Sequence, residues 1–108
     1  MKKEIDELLG KYSPEITELF IKLREIIYRV AEPDEELWAR LPSYCVGERF
    51  VRLIPFGDHI NIEAVAAKDH TEELHGYKIT PKGMLQIFVG QEAPTETLEK
   101  IFKETLNK

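Results

Sequence analysis

Cysteine is almost absent: Cys45 is the only one in 108 residues. A lone cysteine excludes an intramolecular disulfide and a cysteine-built zinc cluster, and it is the usage of a reducing compartment. Long apolar runs are also missing, since no window approaches the roughly 18 residues of a membrane span. The first ten residues, Met-Lys-Lys-Glu-Ile-Asp-Glu-Leu-Leu-Gly, carry charge but no apolar core of an export signal. The expectation is a cytoplasmic chain with no membrane partner. Positive charge is in deficit, with 15 Lys and Arg against 20 Asp and Glu and a net charge of −5. That balance opposes binding to nucleic acid or to anionic lipid, which both need clustered cations. Repeats, low-complexity tracts and linkers are lacking too, so residues 1–108 read as one domain.

What is present suits a packed globule: 43% hydrophobic and 32% charged residues. Ile5, Leu8, Leu9 and Tyr12 form one stripe of a short helix that Gly10 and Ser13-Pro14 interrupt. Ser13 then reads as the cap of a long helix, with proline at its first position. Ile16, Leu19, Phe20, Leu23, Ile26, Ile27 and Val30 keep helical spacing until Pro33 stops it. A modest strand is expected over 36–40, bounded by Pro42, and an extended piece over 43–46. Stronger strands follow over 49–56 and 59–65, joined at Gly57-Asp58 as an antiparallel hairpin. Asp69 is expected to cap a short helix through His75, closed by Gly76. Residues 84–89 make the last strand, and Thr95 opens a final helix with Leu98, Ile101, Phe102 and Leu106 on its apolar side. The fold class expected is α+β, a two-layer sandwich with the N- and C-terminal helices on one face of a mainly antiparallel sheet.

No nucleophile stands out. Ser13 serves as a cap, Ser43 follows a proline without a glycine-rich elbow, and Cys45 lies in an apolar extended context. Glu63 and His59 on the open side of their strand could act as bases, yet alternation alone places polar residues there. His70 and His75 are five residues apart, about 140° around a helix, so they do not share a ligating face. The chain is accordingly read as a binding protein and not an enzyme. Gly76 to Ile87 draws the eye because glycines, lysines, a tyrosine and an apolar run occur together. Lys78 and Lys82 beside Gly76 and Gly83 could capture a carboxylate or phosphate, although the spacing is not that of a phosphate-binding loop. Trp38, Tyr44, Phe56 and Tyr77 could line an apolar pocket next to these lysines, with His59 as a ligand-facing polar residue and core packing as the alternative for the aromatics.

The helix ending Ala31-Glu32-Pro33-Asp34, Leu41-Pro42 followed by Tyr44, Asp58-His59-Ile60, and Gly76-Tyr77-Lys78 followed by Lys82-Gly83 and Gln86 together resemble the YdhG-like family of small bacterial proteins. That family is a domain of unknown function described as frataxin-like. The resemblance covers the chain from about Ile16 onward and implies helices packed on an antiparallel sheet. It also implies iron handling, because some relatives are regarded as iron chaperones that serve cluster or haem assembly. It brings no catalytic residues. No resident cofactor is expected, and iron would be cargo. Iron or iron-cluster assembly proteins would be the partners, and exposed carboxylates the donors, since hard cations prefer oxygen. Glu32, Asp34, Glu35 and Glu36 are the candidates, with a solvated acidic turn as the plainer reading. The alternative function is a module for a small ligand or a protein partner that uses the open sheet face and the Tyr77–Gly83 loop.

Overall fold

In the computed structural model, which describes residues 1–107, Ser13 Oγ accepts the Ile16 N–H at 3.2 Å and Pro14 occupies the first position of the long helix. The elements run α1 (Lys3–Leu9), α2 (Pro14–Val30), β1 (Asp34–Trp38), β2 (Leu41–Val46), β3 (Arg49–Pro55), β4 (His59–Glu63), a 3₁₀ helix (Val65–His70), β5 (Lys78–Ile79), β6 (Leu85–Phe88) and α3 (Thr95–Leu106). The strands form one sheet in the order β1-β2-β3-β4-β6-β5, antiparallel throughout. The class is α+β, as the sequence predicts. Among the described residues no helix is long and apolar enough to cross a membrane.

Strand alternation gives the sheet two unlike faces. Val51 and Leu53 on β3, Ile60 and Ile62 on β4, and Leu85 and Ile87 on β6 are fully buried. Register aligns them, with Leu53 opposite Ile62, Ile62 opposite Leu85 and Ile60 opposite Ile87. Against this row α2 lays Ile16, Phe20, Leu23, Ile26 and Ile27, and α3 lays Leu98, Ile101, Phe102 and Leu106. Ile5 and Leu9 of α1 complete the cluster. Burial of a side chain of this size stabilises the fold by about 1.5–3 kcal/mol. The helical stripes and the β3–β4 hairpin are those the sequence predicts.

Four segments differ from expectation, the first being β4, which stops at Glu63 and not at 65 because Val65 already belongs to the 3₁₀ helix. β1 occupies Asp34–Trp38 and not 36–40, because Ala39 (φ 50°) and Arg40 (φ 68°) form a two-residue turn into β2. Trp38 then faces Leu41 across the hairpin, and Pro42 faces Leu37. Pro42 therefore lies inside a strand, but just outside the β2–β3 ladder, which begins at Ser43 with Arg52. In place of a helix over 69–75 there is the earlier 3₁₀ helix, with Ala66 and Ala67 buried. The Ala66 N–H donates to Thr105 Oγ1 of α3 at 3.2 Å, which draws this segment in before Asp69 is reached. Gly76 does take the expected left-handed conformation, at φ 95°. The last strand spans only Leu85–Phe88, because Met84 belongs to the preceding turn, where its N–H donates to Thr80 Oγ1.

The Ala39-Arg40 turn has positive φ at both central positions, where asparagine and glycine are favoured and ordinary side chains are strained. Ala39→Asn with Arg40→Gly should raise unfolding stability by about 1–2 kcal/mol. Urea denaturation measures this, and an unchanged or lower midpoint would show that the turn carries no relievable strain.

Candidate binding face of the sheet

The side of the sheet away from the helices is organised in rows. Glu36 on β1, Ser43 on β2, Arg52 on β3 and Glu63 on β4 stand opposite one another in succession. The Arg52 guanidinium donates from Nε to Ser43 Oγ at 3.2 Å and from Nη1 to Glu63 Oε1 at 3.1 Å. It also sits over two rings, 4.3 Å from the Trp38 centroid and 3.8 Å from that of Phe50. A planar cation between two π faces is attracted by both ring quadrupoles, and the fixed fork loses little freedom on bonding. Arg52 is thereby held at 14% side-chain exposure, while Trp38 remains 56% exposed.

A second cluster surrounds His59. Its ring stacks on Phe56 at 4.6 Å and packs against Phe88 at 4.8 Å. Nδ1 lies 2.8 Å from Asp58 Oδ1, and Nε2 lies 3.3 Å from Gln86 Nε2. In the neutral ring these partners place the proton on Nδ1, for donation to Asp58, and leave Nε2 to accept from Gln86. Gln86 also donates to Asn61 Oδ1 at 3.0 Å, while its own Oε1 is buried without a partner among the described residues. Lys78 faces Gln86 on the edge strand.

The residues singled out from sequence separate. Trp38, His59 and Lys78 share the open face, but β2 and β3 stand between Trp38 and His59, about 14 Å by strand spacing. Tyr44 is a correction: it is fully buried opposite Val51, on the helix side, with its ring edge-on to Tyr28 at 6.1 Å. Burial, reinforced by the negative charge of Glu35, pushes its phenol far above the ordinary range. The Tyr77 hydroxyl donates to the Glu92 carbonyl and ties two loops together. Lys82 occupies a turn apart from Lys78. The six side chains thus do not line one pocket.

The four acidic candidates divide as well. Glu32 is exposed before the buried Pro33. Glu35 stands opposite Tyr44 and points to the helix side, where Arg24 Nε lies 2.6 Å from Oε2 and the Lys2 N–H donates to Oε1 at 2.8 Å. Burial raises the Glu35 carboxyl, but the hydrogen bonds from Arg24 and Lys2 outweigh it and hold the group below its usual value. Asp34 and Glu36 point the other way, and Glu36 Oε1 lies 3.6 Å from Cys45 Sγ. Burial, then the Glu36 charge, push that thiol up, which keeps it protonated and unreactive. Among the described residues no three His, Cys, Asp or Glu side chains gather where they could hold a metal.

Arg52, Phe50 and Gln86 are the face residues that pattern reading missed. Alternation with Val51 and Leu53 would have placed Phe50 and Arg52 on the open side. The histidine with a defined charged role is His70: Nδ1 lies 2.6 Å from Glu73 Oε1 and Nε2 2.9 Å from Glu104 Oε1. Only the imidazolium has an N–H for both acceptors. The hydrogen bond to Glu73, then that to Glu104, raise its pKa.

Two outcomes follow from these ion pairs. Glu35→Gln should cost about 1–2 kcal/mol in urea unfolding, given that Arg24 is partly open to solvent. The lowered carboxyl contributes stability that is present above its unfolded pKa of about 4.3 and lost as pH falls, so the variant should also show a weaker acid-side decline. An equal decline in both proteins would discount the pair. The His70 clamp has the opposite sign, because its pKa is raised: its contribution is full below about pH 6.5 and is lost as pH rises through the folded value. The thermal midpoint should therefore fall less between pH 6 and pH 9 in His70→Gln than in the wild type. No family model, curated protein or solved structure matches the chain.

Proposed function

We propose that the protein is a binding module whose open sheet face docks a protein partner. The observation that carries the reading is a sheet face with no helix over it on which Trp38, beside the anchored Arg52, and Phe56, stacked on His59, stay exposed. Trp, Tyr and Arg dominate the energetics of protein interfaces because they offer large, stiff contact area at a small entropic cost. Here the anchor is preorganised: Arg52 already holds Ser43 and Glu63, and His59 is already stacked. Asp34 and Glu36 beside Trp38 give the acidic rim that suits a partner with an apolar centre and basic margin.

The reading is one of binding and not of catalysis, since the candidate bases are committed, Glu63 to Arg52 and His59 to Asp58 and Gln86. The YdhG-like resemblance is compatible with it: of the residues that carry it, Pro42, Tyr44 and Gly76 belong to the framework, and His59, Lys78 and Gln86 lie on the open face. Iron handling by Glu32, Asp34, Glu35 and Glu36 is less favoured, because these side chains diverge and Glu35 is taken by Arg24.

Affinity capture from cell extract tests the reading, using the wild type, Trp38→Ala/Phe56→Ala, and Ile21→Ala on the exposed side of α2. A partner held by the wild type and by I21A should be lost from the double variant, at about 2 kcal/mol per anchor. Partners indifferent to Trp38 and Phe56 would overturn it. Anaerobic ferrous iron that binds and broadens the amide signals of residues 32–36 would favour iron handling instead.

A further inference from the structure

A cavity of about 470 Å³ opens where the start of β3, the end of β4, the 3₁₀ helix and the loop before β6 meet. Its cations are Arg49, Lys68 and Lys82, from three separate segments, and its apolar wall includes Phe50, Val65 and Met84. In a chain of net charge −5 this grouping runs against the average field. Among the described residues the ion pairs of Arg and Lys join Arg24 to Glu35, Arg29 to Glu99, Arg52 to Glu63 and Lys100 to Glu73. Among the described residues none of the three cavity cations is in an ion pair. Of the two carboxylates at the wall, Glu63 is neutralised by Arg52 from outside the cavity, which leaves Glu48 alone against three positive charges.

The cavity is also braced. Thr105, buried in the last turn of α3, receives the Arg49 Nη1 donor on its carbonyl at 3.3 Å and the Ala66 N–H on its hydroxyl at 3.2 Å. One residue thus fixes both Arg49 and the 3₁₀ segment that carries Lys68. Lys82 is set by a four-residue turn in which the Gly83 N–H donates to the Thr80 carbonyl at 2.8 Å, with Pro81 at its second position and Gly83 at φ 88°. Val65, at 63% exposure, is the most exposed of the large apolar side chains and stands beside these cations. An adjoining hollow shares Arg49, Val65 and Lys68 and adds Lys103 together with the carboxylates of Asp69 and Glu104, so the excess of positive charge is confined to the first cavity.

We infer that this cavity binds a small organic anion, with a phosphate or carboxylate head held by Arg49, Lys68 and Lys82 and a short apolar body against Phe50, Val65 and Met84. The size is that of small-ligand sites, and a few convergent polar groups over an apolar wall is their usual composition. Arg49 supplies a planar fork for two anion oxygens, and the lysines supply mobile point charges. Lys82 thus acts with Arg49 and Lys68, and Lys78, on β5, belongs to the open face. The inference does not require a docked partner, although Phe50 and Glu63 border both the cavity and the open face.

Amide chemical-shift titration with phenyl phosphate, benzoate and inorganic phosphate tests it, the first two separating the phosphate from the carboxylate head. Phenyl phosphate or benzoate should give saturable shifts confined to residues 48–50, 64–68 and 82–84, with inorganic phosphate weaker than phenyl phosphate. Lys68→Gln/Lys82→Gln, both exposed positions, should weaken binding about tenfold per charge removed with the remaining spectrum unchanged, and Lys22→Gln on α2 should leave it intact. Equal affinity in the double variant, shifts spread over every lysine-bearing surface, or no saturable response to either organic anion would overturn the inference. Partner capture through Trp38 is unaffected by K68Q/K82Q, so the two sites fail separately.

Discussion

The packing of α2 and α3 on the middle of the sheet is the interaction on which the rest of the molecule depends. Phe20, Leu23 and Ile27 from one helix and Ile101 and Phe102 from the other meet Val51, Leu53, Ile60 and Ile62, and all are fully or almost fully buried. Because strand side chains alternate, this single contact decides the orientation of every other residue in β3 and β4. Once Val51 and Leu53 face the helices, Phe50 and Arg52 must face away. The open face is thus a consequence of the core.

That consequence explains the character of the uncovered side. A sheet face with no second layer must either stay wet or satisfy its polar groups within itself. Here it does much of the latter: Ser43 is fully buried yet bonded to Arg52 and to the Leu41 carbonyl, and Asn61 is buried and bonded to Gln86. Aromatic rings shield these bonds from the outside. The same shielding leaves apolar surface in water at Trp38 and Phe56.

The elements with strong periodicity were legible in the sequence, because the helical stripes and the β3–β4 alternation are local signals that packing reinforces. The Ser13 cap and the Pro33 stop were legible for the same reason. The Ala39-Arg40 turn was not, since neither residue favours positive φ and the hairpin is imposed by the pairing of β1 with β2. Missing that turn hid the side to which Tyr44 and Glu35 point. The short helix expected over 69–75 was displaced by a contact with Thr105, some forty residues downstream, which no local pattern announces. Of the candidate site residues, alternation placed His59 on the open side of its strand, whereas the faces of Trp38 and Lys78 follow only from the pairing of β1 with β2 and of β5 with β6. Arg49, Lys68 and Lys82 meet only through the tertiary arrangement of three distant segments, so their grouping had no one-dimensional signature.

The rims of the sheet bear on how the protein can live with such a face. One outer strand, β1, begins Asp34-Glu35-Glu36, and the other, β5, is two residues long. A second copy laid alongside β1 would confront carboxylates with carboxylates, and β5 offers too few free amides to template another strand. Growth of the sheet by strand addition is therefore blocked at both ends. The molecule can expose aromatic surface broadside without extending its sheet edgewise.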